Sequence, residues 1–438
     1  MKILNKSAAL LLSMALSVAT LSSCGGRNDS SSGGTDSKGS ASSSAVEESE
    51  TDEPKDYIGD FNDLDQDAVT LQMGMGWNLG NQLEASSGGT PNETAWGNPT
   101  VTQEMLDMVK ENGFSTVRIP VSYLNKIGEG PDYTIDSEWL DRVQEVVDYV
   151  VSNDMFAVVN MHGDGYYTVA GGWLLCAEED QTEIKDKYGK VWTQIAERFK
   201  DYDEHLIFES MNEEFNNDYG QPDPVAYENI NAYNQIFVDS VRGTGSNNAK
   251  RWLLMPGWNT NIMYTVGDYG FKIPEDKLCE ADGNRLMISV HYYDPYNFTL
   301  DENATSHKSQ WGQYSEKRRN DNWGQEDHVD EQMKQLNEKF VSKGYPVVVG
   351  EMGVIDWSSS FEDNNEFRRY WLEYIINAER ENKIIPIYWD NGWNGDKGFG
   401  IFNRKTLEVS QPELIEAMMR AINAEESYEI AAPKGYEK

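Results

Sequence analysis

The chain has 438 residues, of which 39% are hydrophobic and 11% aromatic, so it can bury one large core and is too long for one small domain. Its net charge of −37 repels phosphate-bearing partners and excludes nucleic acid as a ligand class. A neutral polymer is indifferent to that charge.

In chain order, Lys2 and Lys6 precede the apolar run from Ala8 to Leu21. That run has secretory length and is short for a membrane span. It ends in Leu21-Ser22-Ser23-Cys24-Gly25, which resembles a bacterial lipoprotein signal. Residues 1–24 are therefore expected to be a signal peptide, with Cys24 as the lipidation site and as the only membrane attachment. Residues 25–54 are Ser, Gly, Thr and acidic residues with almost no apolar side chains, a composition that reads as a tether. The protein is expected to be extracellular, held at the cell surface, and monomeric. Asp63-Leu64-Asp65-Gln66-Asp67 resembles the start of a calcium loop but has Ala68 where the turn needs glycine and Gly74 where the loop needs glutamate. It reads as a solvated acidic stretch.

Residues 55–425 alternate short apolar runs with amphipathic helical patterns. The strand candidates are 74–79, 116–121, 156–161, 206–211, 252–256, 287–291, 347–350 and 385–389. Helical patterns cover 104–112, 138–152, 183–200, 225–241, 329–343, 366–381 and 413–422. Gly113, Gly243 and Gly344 stand where helices end. The stretch 259–277 is loop-like, so the helix between the fifth and sixth strands is weak. Eight such units predict an α/β fold of (β/α)8 TIM-barrel type, a single catalytic domain. The tail 426–438 is polar and expected to be loose. Cys176 and Cys279 are no disulfide framework; they pair with each other or stay free.

In such a barrel the C-terminal ends of the strands carry the chemistry. Leu206-Ile207-Phe208 leads to Met211-Asn212-Glu213, and Val347-Val348-Val349 leads to Gly350-Glu351. Two glutamates from two strand ends suggest a paired-carboxylate hydrolase, and glycoside hydrolysis is the reaction that needs that pair. The other predicted strand ends collect Trp77-Asn78, Arg118, His162, Trp258-Asn259, His291-Tyr292-Tyr293 and Trp389. Two of the five histidines fall on this rim. His205 reads as a loop residue on the opposite face, and His307 and His328 as solvated residues of a polar insertion. No clustered His/Cys spacing for a metal, phosphate-cradling glycine loop or serine elbow is present, so neither metal nor cofactor is expected.

The strings Trp77-Asn78-Leu79-Gly80-Asn81, Trp96-Gly97-Asn98-Pro99, Arg118-Ile119-Pro120, Asn160-Met161-His162, Asn212-Glu213, His291-Tyr292-Tyr293, Gly350-Glu351 and Trp389, in this order, resemble glycoside hydrolase family 5, the cellulase family. The resemblance spans roughly residues 70 to 400 and implies retaining double displacement. It implies Glu213 as acid/base and Glu351 as nucleophile, supported by Arg118, His162, Asn212, His291 and Tyr293. Arg118 is expected to hold Glu351 ionised, with Glu209 as a possible second partner. Trp389 would lie under the reacting sugar, with Trp77, Trp173, Trp258, Trp357 and Trp393 as outer stacking candidates. Gly163 stands where many members have a second histidine, and Glu214 where many have proline; the latter is expected to add negative charge beside the acid. The leading expectation is a secreted endo-β-1,4-glucanase. The same machinery on xyloglucan, mixed-linkage glucan or β-mannan is the alternative. A non-catalytic glycan-binding lipoprotein and a metal-dependent hydrolase are readings of other classes.

Overall fold

The computed structural model describes residues 57–437; the signal, Cys24 and the tether lie outside the described residues. Eight strands form a closed parallel barrel: β1 Gly76–Leu79, β2 Thr116–Ile119, β3 Phe156–Asn160, β4 Leu206–Glu209, β5 Leu253–Asn261, β6 Leu286–Tyr292, β7 Val347–Met352 and β8 Ile384–Asp390. Each pairs with its sequence neighbours, and β8 closes onto β1. The eight predicted runs all form strands of this barrel, and it is the expected (β/α)8 fold.

The helices are α1 Gln66–Met73, α2 Gln103–Glu111, α3 Ser137–Val151, α4 Thr182–Phe199, α5 Pro224–Gly243, α6 Ile262–Val266, α7 Tyr296–Thr299, α8 Glu326–Lys339, α9 Asn364–Glu381 and α10 Pro412–Ile422. The loop-like stretch after β5 contributes only the five-residue α6. Among the described residues no helix is long and apolar enough to cross a membrane.

Alternation along the strands divides the core in two. Val117, Ile119, Ala157, Val159, Leu206 and Phe208 pack outward among the helices. Val158, Ile207, Leu254, Met287, Val348, Ile385 and Ile387 form a separate interior cluster. Val69 and Met73 of α1 join that interior cluster, so α1 packs against the inside of the barrel. The acidic stretch before α1 is part of this arrangement: Asp65 caps the helix by accepting from the Ala68 N–H, and Asp63 pairs with Arg285 at 2.6 Å. Asp63, Asp65 and Asp67 are exposed, as expected, while these contacts fix the stretch in place.

Further along the same strands the interior turns polar. Asn78, Arg118, Asn160, Glu209 and Ser289 are all fully buried there. Glu351 should not belong to this face. Val347 and Val349 point outward, and a regular strand would send residue 351 the same way. However, Val290 pairs with Val349 and His291 with Glu351, so β7 carries one extra residue at Gly350. The same shift appears against β8. This bulge flips the phase and aims Glu351 inward.

The tail expected to be loose is packed. Tyr436 meets Phe367 edge to face at 5.0 Å, Tyr428 donates to Glu373, and Arg369 holds the carbonyls of Ala431 and Ala432. Cys176 is buried and Cys279 half-exposed, and both are free thiols.

Candidate active site

Arg118 on β2 organises the polar end of the barrel. It is wholly buried, and four hydrogen bonds compensate the loss of water. Its Nε donates to Glu209 Oε2 at 2.6 Å. Nη1 donates to Asn78 Oδ1 at 3.0 Å and to Glu351 Oε1 at 2.8 Å, and Nη2 to Asn212 Oδ1 at 2.7 Å. The second oxygen of Glu209 accepts from Ser289 at 2.6 Å. Asn78 in turn donates to the Gly350 carbonyl at 2.8 Å, which pins the bulge. Arg118 thus serves both carboxylates weighed for it in the sequence.

Glu213 and Glu351 meet across the mouth. Carboxylate oxygens of the two residues and Nδ1 of His291 all lie within 4.8 Å of one another. His291 Nδ1 is 2.7 Å from Glu213 Oε1 and 3.6 Å from Glu351 Oε2. With two carboxylates facing it, Nδ1 is the nitrogen assigned the proton. Tyr293 donates its hydroxyl to Glu351 Oε2 at 3.2 Å. Donor atoms this close could also hold a cation, but the Arg118 guanidinium already supplies the positive charge beside Glu351.

The electrostatics differ from the expectation for Glu351. Burial pushes its carboxyl up; His291 and Arg118 pull down, and Glu213 pushes up again. The net direction is upward because burial, the largest influence, outweighs the pull of His291 and Arg118. His162 is held well below the usual imidazole range by burial, then by the charges of Arg118 and His291, and stays neutral. Asn160 reaches its Nδ1 at 3.2 Å, and its ring stacks on Trp389 at 6.0 Å with an interplanar angle of 10°.

Glu214 is 2% exposed, with its carboxyl packed against Gly165. Burial, Asp164 and Glu213 raise its carboxyl well above the ordinary range. That direction opposes the full negative charge expected beside Glu213 from the sequence. Gly163 donates its N–H to Ser122 Oγ at 2.9 Å, and that hydroxyl occupies the place a side chain at 163 would need.

The tryptophans separate into two groups. Trp389 belongs to an apolar cluster with Ile355, Trp357 and Phe399, against which Tyr293 packs. Trp357 is nearly buried there, stacked on His307 at 4.8 Å. His307 is consequently buried rather than solvated, while His328 bonds Asp294. Trp77 and Trp258 are corrections. Trp77 points outward from β1, under the Arg404 guanidinium, and Trp258 packs on Tyr227; both are wholly buried and offer no face to a ligand. Trp173 has Lys187 Nζ 4.1 Å from its ring centre and donates to Asp164. Trp393 is 62% exposed. Trp96, half-exposed, is a further ring on a strand-end loop; the neighbouring Asn98 ties the β1 loop to the β8 loop through the carbonyls of Asn81 and Asn391. The sequence reading missed Tyr166, whose hydroxyl lies 3.3 Å from Glu213 Oε2. Its only sequence signal is a tyrosine in the loop that follows β3.

A parallel barrel with two carboxylates facing across its C-terminal mouth, each held by its own donors, defines a glycoside hydrolase of the paired-carboxylate class. Comparison agrees: a family model, Cellulase (glycosyl hydrolase family 5), matches residues 80–395. The chain belongs to this family. It is 50% identical over 373 residues to Endoglucanase A of Paenibacillus barcinonensis, covering 84% of this chain and 93% of that protein. A solved family 5 xyloglucanase from Paenibacillus pabuli superposes with a TM-score of 0.80 at 52% identity, covering 81% of this chain and all of that one (100%). A broad-specificity endoglucanase from Bacteroides salanitronis gives 0.76 at 38% identity, covering 86% of this chain and 100% of that one.

Proposed function

We propose that the chain is a retaining endo-β-1,4-glucanase, with Glu351 as nucleophile and Glu213 as acid/base. The observation that carries this reading is the approach of the two carboxylates to within 4.8 Å across one mouth. Retaining sites hold the pair about 5–5.5 Å apart, whereas inverting sites leave roughly 6.5–9.5 Å for a water.

Retaining displacement requires Glu213 to enter as the acid and Glu351 as the carboxylate. Glu351 attacks the anomeric carbon while Glu213 protonates the departing oxygen. The resulting ester removes the charge on Glu351, and Glu213 then takes a proton from water, whose oxygen releases the sugar. Arg118 fixes the Asn212 amide with its oxygen inward, which leaves an Nδ2–H for the sugar 2-hydroxyl. Neutral His162 and Trp389, stacked together, form a wall on which the ring can rest.

Reducing-end release from carboxymethylcellulose, mixed-linkage glucan, xyloglucan and β-mannan tests the activity and its backbone preference. Cleavage of the first two is expected, and Glu351→Gln should reduce it to background. Equal release by the variant would leave only the glycan-binding reading. Xyloglucan is the second reading, favoured by the P. pabuli relative and by a xyloglucan-specific endo-β-1,4-glucanase of Bacteroides ovatus at 33% identity, covering 84% of this chain and 73% of that protein. Secretion and lipid attachment through Cys24 are part of the proposal. Mass spectrometry of the mature N-terminus should find a diacylated Cys24, and an unmodified residue there would remove that part.

A further inference from the structure

The Tyr166 hydroxyl has no part in the steps above, yet the hydrogen bonds around it have only one consistent direction. Arg118 Nη2 can only donate, so Asn212 must present Oδ1 to it, at 2.7 Å. Asn212 Nδ2 then faces Tyr166 and donates to its oxygen at 2.7 Å. The single proton of Tyr166 is left for Glu213 Oε2, 3.3 Å away. Burial and the carboxylates of Glu213, Glu351 and Glu214 raise this phenol well above 10, so it remains a donor. A directed chain therefore runs from Arg118, which touches Glu351, through Asn212 and Tyr166 to Glu213.

The loop that delivers Tyr166 is built stiffly. Asp164 accepts from the N–H groups of Tyr123 and Leu124 at 2.8 and 2.7 Å and from Trp173 Nε1 at 2.7 Å. Gly165 packs directly on the Glu214 carboxyl, where any Cβ would overlap it. With Glu213 Oε1 held by His291 and Oε2 by Tyr166, both oxygens of the carboxylate are fixed.

We propose that Tyr166 is a positioning residue for the acid/base, stabilising the carboxylate that forms when Glu213 releases its proton. This rests on Glu213 being the acid/base. Donation to a carboxylate strengthens as its charge appears, so the contribution falls on the step in which the departing oxygen needs a proton.

The test is kcat/KM of Tyr166→Phe on two substrates: a cello-oligosaccharide, whose sugar leaving group needs protonation, and 2,4-dinitrophenyl β-cellobioside, whose leaving group does not. Loss of one hydrogen bond to a charged group should cost roughly 10- to 100-fold on the first and less than about threefold on the second. The aryl substrate also reports whether the variant is folded. Equal losses on both substrates, or no loss on the first, would overturn the proposal. Glu213→Gln is measured in parallel. If it shows the split and Tyr166→Phe does not, only the role of Tyr166 fails; if Glu213→Gln shows no split, the reading of Glu213 fails with it.

Discussion

Glu209 and Glu351 share the Arg118 guanidinium, at 2.6 and 2.8 Å. A fully buried ion pair contributes little net stability because desolvation offsets its attraction. Its effect here is on titration. Activity requires ionised Glu351, whose carboxyl is raised by burial, so activity should fall on the acid side at a higher pH than an ordinary carboxyl would give. Glu209→Gln removes one negative neighbour and frees Arg118, and both changes lower Glu351. The acid limb of kcat/KM should therefore move to lower pH; a shift to higher pH would contradict the charge division described. The sequence named Glu213, Glu351 and Arg118 because strand ends expose them as residue types. It could not show that Glu351 is raised rather than lowered, since that depends on a burial that outweighs Arg118 and His291. The same limit explains Trp77 and Trp258: a ring at a strand end reads alike whether it points to the mouth or, as here, to the helices.

The extra residue in β7 is the element on which the site depends. Eight strands were readable as apolar runs because a barrel buries both faces of each strand. A bulge leaves no such trace, since Gly350 reads equally well as part of a regular strand. Gly350 has ordinary negative φ, so an added methyl brings no backbone strain. Its Cβ would stand 3.2 Å from His291 Nε2 and 3.5 Å from Arg118 Nε. Gly350→Ala should push His291 by a few tenths of an ångström and lower kcat/KM by about tenfold, as small misplacements of catalytic groups do. The thermal midpoint should change by only a few degrees. Unaltered kcat/KM would mean that the His291 position is not critical. The tail was misjudged for a related reason: residues 426–438 look polar, but Tyr428 and Tyr436 find partners on α9 that no local pattern reveals.

At the scale of the molecule, the described residues close on themselves. The helix α1 joins the interior cluster and the tail lies along α9. A chain beginning at Asp56 should match the full chain in thermal midpoint and in kcat/KM on soluble glucan. One beginning at Met75 loses the fully buried Val69 and Met73. Each such side chain is worth about 1.5–3 kcal/mol, a large part of a marginal total, so that chain should melt at markedly lower temperature. Equal melting of the two truncations would show that α1 is dispensable. The barrel architecture was legible from alternating strand and helix patterns, while the role of α1 was hidden in an acidic stretch whose apolar residues are few.

The central claim is that Glu213 and Glu351 share one sugar unit as a retaining pair. Proton NMR of the anomeric region during the first minutes of cello-oligosaccharide hydrolysis measures this most directly. The account predicts that the new reducing end appears first as the β anomer and drifts to the α/β equilibrium later. Initial appearance of the α anomer would mean that water attacks directly, and the pair would then not work as described.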